Sequence, residues 1–239
     1  RGLGDVYKRQ EHLAYLPDVM AMIPEEAWTP CLDAEGNIWA LPRHETFTAG
    51  GIPSIRTDWL EKLNMAAPTT IEEFEAMLVA FRDNAELLLG ADAAKMIPYT
   101  TSYDIGWRND HMLTSFVPDA TSDEELYVKG FDDRHLLYPG YKEGVRMLNK
   151  WYNMDLLWKD FALYGNGDTT EDSYIKSGFV GAFMHNWDYP YRNGEDSIIA
   201  HLKRNVGEDA NYIAIECFKN DAGVYRKFLA DSIDRKVFF

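Results

Sequence analysis

The chain has 239 residues, enough for between one and two domains of ordinary size. A formal charge of −15 argues against a nucleic-acid partner and against an anionic membrane surface. Hydrophobic residues make up 46%, an ordinary globular composition, and no run of about 18 apolar residues is present to span a membrane.

Aromatic residues reach 14%, with seven Trp and 14 Tyr. Most must serve the core, but those that fall among polar clusters suit a surface that stacks rings against the apolar faces of sugars. The two cysteines, Cys31 and Cys217, leave one disulfide open as a possibility, and no Cys-x-x-Cys pair suggests zinc or redox chemistry. Residues 1–10 resemble the conceptual translation of a transposon-end adapter used in sequencing libraries. They are set aside as an artefact. At the other end the chain stops within a strand-like Val237-Phe-Phe239, so it reads as an internal fragment.

Leu13, Leu16, Val19, Met20 and Ile23 follow a helical spacing interrupted by Pro17. Pro24 opens a second short helix over Glu25–Cys31. Asp33 to Asn37 predicts a turn with Gly36 at the position of positive φ, feeding a strand over Ile38–Leu41 that ends at Pro42. Gly50 to Arg56 reads as a strand, and Asp58 as the cap of a helix over Trp59–Leu63. Thr70 and Glu73 form a capping-box pattern ahead of a helix that ends near Asp83 and gathers Phe74, Met77, Leu78 and Phe81 on one face. A short strand over Met96–Tyr99 and a helix over 107–117 come next. A weak hairpin signal lies at 126–130. Tyr141 to Leu156 predicts an amphipathic helix with Val145, Leu148, Trp151, Tyr152 and Leu156 spaced for burial. A second short helix is expected over Asp168–Ser177, a polar helix near 194–204, a strand over 210–217, and extended segments at 224–229 and 236–239. Helices alternating with short strands define an α/β protein.

Gly178-Phe-Val-Gly-Ala-Phe-Met184 is an apolar run with two glycines, followed by His185, Asn186, Trp187, Asp188, Tyr189 and Tyr191. A buried strand that ends in polar and aromatic groups is how an α/β sheet presents a binding surface. The same strand-end logic picks out Arg43, His44 and Glu45 after one strand, and Tyr99, Tyr103 and Trp107 after another. Asn186, Asp188 and Tyr189 complete the ligand-binding set inferred from placement. Nucleophile-elbow, zinc-protease, phosphate-loop and dinucleotide-binding signatures do not occur. No cofactor and no metal is expected. An acid pair among Glu45, Asp104 and Asp188 leaves open a secreted glycan-active hydrolase, which needs two carboxylates about 5 to 10 Å apart across a sugar.

Three stretches carry a family resemblance. Gly36-Asn-Ile-Trp-Ala-Leu-Pro42 resembles the Gly-Lys-Ile-Tyr-Ala-Leu-Pro strand of the bacterial extracellular solute-binding proteins of family 1. Ile55-Arg-Thr-Asp-Trp-Leu-Glu-Lys-Leu63 with Pro68-Thr-Thr-Ile-Glu-Glu-Phe74 is similar to that family's Arg-Lys-Asp-Trp-Leu-Asp-Lys-Leu and Pro-Thr-Thr-Trp-Asp-Glu-Phe block. Tyr174-Ile-Lys-Ser-Gly-Phe-Val-Gly-Ala-Phe183 is similar to its Phe-x-x-Gly-Lys-Val-Gly-Met block, departing from it with Phe179 where Lys is usual.

The resemblance implies a two-lobed periplasmic-binding-protein-like fold of type II, related to maltose-binding protein and incomplete at both ends. Residues 11–50 would belong to the N-terminal lobe, 51–56 to a hinge crossing, 57–208 to the C-terminal lobe, and 209–239 to the return crossing and re-entry. It implies a non-enzymatic carbohydrate-binding subunit of an ABC importer that takes its ligand in the inter-lobe cleft. Its partners would be a small-molecule sugar and the permease subunits. The chain would be monomeric, extracytoplasmic, and attached to a membrane only through a lipid anchor outside this sequence. The family's sugar-stacking aromatic falls on Trp187.

Overall fold

In a computed structural model, the described residues are 17–38, 40–43, 51–109, 112–113, 115–118, 140–215 and 235–238. The chain divides into two compact units, one of residues 1–49 and 228–239 and one of residues 50–227.

In the smaller unit, α1 (Pro17–Met22) begins on the proline that interrupts the helical pattern, as suits a residue with fixed φ and no N–H to donate. Pro24 immediately precedes α2 (Glu25–Trp28), which runs on into a 3-10 turn over Thr29–Cys31. The expected turn follows. Gly36 has φ +84°, and the Asp33 carboxylate accepts from the backbone N–H groups of Glu35 and Asn37 at 3.0 and 2.7 Å. Strand β1 (Ala40–Arg43) pairs antiparallel with β6 (Arg235–Phe238), Ala40 facing Phe238 and Arg43 facing Arg235. Pro42 therefore lies within the strand rather than ending it. The hairpin near 126–130, the extended segment at 224–229 and Cys217 lie outside the described residues.

The larger unit is built on a four-stranded sheet of β2 (Gly51–Arg56), β3 (Ile97–Thr100), β4 (Val180–Asn186) and β5 (Tyr212–Ala214). Their order is β3-β4-β2-β5, with β4 parallel to β3 and antiparallel to β2, and β2 antiparallel to β5. The apolar run of β4 is buried from Val180 to Met184. It lies between β3 and β2 because Gly181 lets the neighbours close in. A Cβ there would sit 2.5 Å from the Phe81 ring, 2.8 Å from the Pro98 carbonyl oxygen and 2.9 Å from the Trp59 ring.

Helix α3 (Thr57–Lys62) corrects one expectation. Asp58 is not its cap. The Asp58 carboxylate instead accepts from Arg56 Nε and Nη2 at 2.7 and 2.6 Å, while Arg56 Nη1 donates to the Gly178 carbonyl at 2.8 Å. The guanidinium lies against the Trp59 ring, 4.7 Å from its centroid. A cation 1% exposed requires partners of this kind, because an unpaired buried charge is strongly destabilising. Burial opposes the charge on Arg56, but its hydrogen bond to Asp58 and the neighbouring Tyr212 outweigh that and hold its pKa above the ordinary value.

Helix α4 (Ile71–Asp83) starts at the expected capping box, with Thr70 accepting from the Glu73 N–H at 3.2 Å and the Glu73 carboxylate accepting from the Thr70 N–H at 3.3 Å. Phe74, Met77, Leu78 and Phe81 are its buried face. After α5 (Ala85–Leu89) and β3 come α6 (Ile105–Arg108) and α7 (Tyr141–Asn153). Helix α7 buries Gly144, Met147, Leu148 and Trp151 and leaves Val145 48% exposed, so the buried stripe is rotated from the expected one. Helices α8 (Thr170–Lys176) and α9 (Ile198–Val206) cover the rest. Among the described residues no helix is long and apolar enough to cross a membrane.

Candidate functional site

The larger unit holds a hollow of about 300 Å³ beside the C-terminal ends of β3 and β4. That places it at the lower limit of small-molecule sites. Three stretches wall it: residues 102–108 after β3, residues 158–172 leading into α8, and His185 near the end of β4.

The first wall is carried by a buried polar chain. Tyr99 donates its hydroxyl hydrogen to Asn109 Oδ1 at 2.6 Å. Asn109 Nδ2 in turn donates to Thr101 Oγ1 at 2.9 Å and to the Ile105 carbonyl at 2.8 Å. These bonds fix the short helix α6, which presents Trp107 at 45% exposure, and the turn before it, which presents Tyr103 at 49%. Tyr99, expected at the ligand surface, is itself fully buried. Its ring packs edge-on against Phe74 and Trp151, with centroids 5.8 and 6.0 Å apart. The physical reason is an added pairing beyond β3. Tyr99 N–H donates to Leu156 O and Trp158 N–H donates to Tyr99 O, each at 2.9 Å, so the segment after α7 closes over the strand end.

The second wall follows from that pairing. Trp158 continues the segment and stacks on Tyr164, with centroids 5.4 Å apart and planes 9° apart. Phe161, Tyr164 and the turn Gly165-Asn-Gly-Asp168 line the hollow beside it. Asp168 accepts from the Thr170 N–H at 2.7 Å, which helps start α8, and the Thr170 side chain together with that N–H holds the carboxylate below the usual range.

Arg108 joins the walls. It is 4% exposed, its Nε donates to the Met184 carbonyl of β4, and Nη1 and Nη2 donate to the two oxygens of Glu171 at 2.9 and 2.7 Å. Such two-point pairing fixes orientation as well as charge. His185 takes the third side. Trp107 meets it edge-on at 5.5 Å, and Tyr189 stacks on it at 3.6 Å with planes 7° apart. Tyr189 donates its hydroxyl hydrogen to Asp172. Burial, with Arg108 and Arg192 nearby, pushes the His185 pKa down to about 3, so the ring is neutral at physiological pH. Its Nδ1 accepts from the Asn186 N–H at 2.8 Å, which leaves Nε2 to carry the hydrogen as a donor.

Of the residues predicted from sequence, Tyr103 and Trp107 line the hollow together. Asn186, Trp187, Asp188 and Tyr189 do not line it. Asn186 ends β4 opposite Gly51, and Tyr189 packs behind His185. Asp188 accepts from Arg192 Nε and Nη2 at 3.0 and 2.7 Å. Trp187 is 50% exposed in the turn after β4. Arg43 ends β1 of the smaller unit, and His44 and Glu45 lie outside the described residues. The 158–172 wall was not predicted, although the apolar triplet Leu156-Leu-Trp158 and the glycine-flanked turn after Tyr164 were signals of it. Among the described residues no group of His, Cys, Asp and Glu is placed to hold a metal ion.

No protein-family model and no curated protein sequence matches the chain. Solved structures do. The "HMO binding ABC-transporter associated Solute Binding Protein" of Bifidobacterium longum infantis ATCC 15697 aligns with a TM-score of 0.60 at 18% identity, over 96% of this chain and 48% of that one. The S. pneumoniae ABC-transporter substrate binding protein FusA in complex with kestose aligns with a TM-score of 0.60 at 16% identity, over 93% of this chain and 44% of that one. An extracellular solute-binding protein from Bifidobacterium longum subsp. infantis aligns with a TM-score of 0.58 at 19% identity, over 92% of this chain and 45% of that one. The chain thus spans less than half the length of each of these proteins. Across nearly all of its own length it has the α/β fold of the two-lobed extracellular solute-binding proteins.

Proposed function

We propose that this chain is part of a carbohydrate-binding, non-catalytic receptor subunit of an ABC importer, and that the hollow in its larger unit is a sugar-binding surface. The observation that carries the reading is the make-up of that hollow. Half-exposed Tyr103 and Trp107 offer apolar ring faces, and a neutral imidazole at His185 offers a hydrogen-bond donor. Sugars present the matching features, apolar C–H faces and hydroxyl rims. The solved relatives support the reading, since proteins of the same fold are described with kestose and stachyose bound.

Carboxylates also line the hollow, but Glu171 is held by Arg108 and Asp172 accepts from Tyr189, an arrangement that suits binding better than acid–base work. Delivery to permease subunits, a lipid anchor and an extracytoplasmic location complete the proposal. We also read residues 51–56 and 209–239 as the stretches that pass between lobes. The pairing of β2 with β5, Arg56 opposite Tyr212, supports this reading by placing the two stretches side by side.

The test is calorimetric titration of the full-length protein with neutral oligosaccharides, alongside an assay for hydrolysis of a chromogenic glycoside. Saturable binding without turnover supports the proposal. Turnover that is lost on changing Asp172 or Asp104 to Asn assigns a hydrolase instead.

A further inference from the structure

The hollow carries an electrostatic bias that follows from which of its charges are already paired. Four carboxylates line it, those of Asp104, Asp168, Glu171 and Asp172. Among the described lining residues the only cationic side chain is Arg108, and it is buried with all three guanidinium nitrogens donating to Glu171 or to the Met184 carbonyl. It has no geometry left with which to grip a ligand carboxylate in the two-point manner that acid-sugar recognition uses. His185 is held neutral by burial and by the nearby arginines, so it brings no compensating charge. Glu171 cancels Arg108, and Asp172 is engaged by the Tyr189 hydroxyl. Asp104 and Asp168 remain as exposed carboxylates, one on each of the two loop walls.

We infer that the hollow selects uncharged or amine-bearing sugars and rejects acidic ones, with Asp104 and Asp168 as the residues that set this discrimination. The inference rests on the carbohydrate reading above. The ring faces and the neutral imidazole make the hollow a site, and the two carboxylates decide the charge of what enters it. At the effective dielectric of a protein surface, a ligand carboxylate about 12 Å from an exposed aspartate meets a repulsion worth about a tenfold loss of affinity, and a closer one loses more. Dissolved salt screens this repulsion and leaves ring stacking untouched.

The test uses matched probes on the full-length protein. Neutral tri- and tetrasaccharides are titrated calorimetrically beside their counterparts in which one terminal hydroxymethyl group is oxidised to a carboxylate. The inference expects the oxidised sugar to bind about tenfold more weakly at low salt. It expects that gap to shrink on adding salt and in the Asp104→Asn, Asp168→Asn double variant, whose fold is checked by circular dichroism. Equal or tighter binding of the oxidised sugar overturns the charge inference while leaving the carbohydrate reading standing. A gap that the double variant leaves unchanged overturns the assignment to these two aspartates. Binding of none of the sugars overturns both readings together.

Discussion

Arg108 meets Glu171 through both of its terminal nitrogens, at 2.9 and 2.7 Å, and so ties the short helix after β3 to the start of α8. With side chains 4% and 13% exposed, neither partner can fall back on water if the other is removed. Glu171→Gln should therefore destabilise the larger unit by about 3 kcal/mol, read as a fall in the urea midpoint. Arg108→Met in the Glu171→Gln background should recover part of that loss, because a well-packed apolar side chain replaces a stranded cation. An unchanged midpoint in the single variant would show that the pair does not hold the walls together.

Gly181 predicts a steric effect of similar size. An added methyl would meet the Phe81 and Trp59 rings and the Pro98 carbonyl within 3 Å, in the strand that pairs on both sides. Gly181→Ala should lower stability by about 2 kcal/mol, since overpacking forces neighbours off their preferred positions. Gly165→Ala is the matched control. Nothing lies within 4 Å of its added carbon, and stability should change by less than about 0.5 kcal/mol.

His185 predicts the direction of a pH dependence. Its folded pKa is depressed to about 3 from an ordinary 6.5, so as pH falls below 6.5 the unfolded chain takes up a proton that the folded chain refuses. Stability contributed by this group is complete above pH 6.5 and declines from there toward pH 3. Denaturation midpoints measured at pH 7 and pH 5 should differ less in His185→Gln than in the parent. In an NMR titration the imidazole carbon shifts of His185 should stay constant between pH 7.5 and pH 5; a midpoint near 6.5 would contradict the buried, neutral ring.

Tyr99 and Trp107 predict opposite separations of stability and affinity. Tyr99→Phe removes a hydroxyl from a fully buried site and strands Asn109 Oδ1, which should lower stability by about 1 to 2 kcal/mol. Trp107 is half-exposed, and Trp107→Ala should leave the urea midpoint nearly unchanged while weakening sugar affinity about tenfold.

The sequence announced what depends on local chemistry. Thr70 with Glu73 announced the start of α4, and the Phe74, Met77, Leu78 and Phe81 spacing announced its buried face. The Gly181 run announced the central strand. What it hid depends on long-range pairing. Asp58 reads as a cap until the Arg56 guanidinium, held by the Gly178 carbonyl 122 residues away, takes up its carboxylate. Tyr99 reads as a strand-end aromatic until Leu156 and Trp158, more than 50 residues later, close over it. The same closure delivers the unpredicted Trp158 and Tyr164 wall, and among the described residues of the larger unit Tyr103 and Trp107 are the members of the predicted ligand-binding set that line the hollow.

The central claim is that this hollow binds sugar through its aromatic walls. Calorimetric titration of the full-length protein and of its Trp107→Ala variant with a panel of neutral oligosaccharides tests it most directly. The account predicts saturable binding of at least one oligosaccharide and about a tenfold weaker affinity in the variant at equal stability. An affinity that Trp107→Ala leaves unchanged would contradict it.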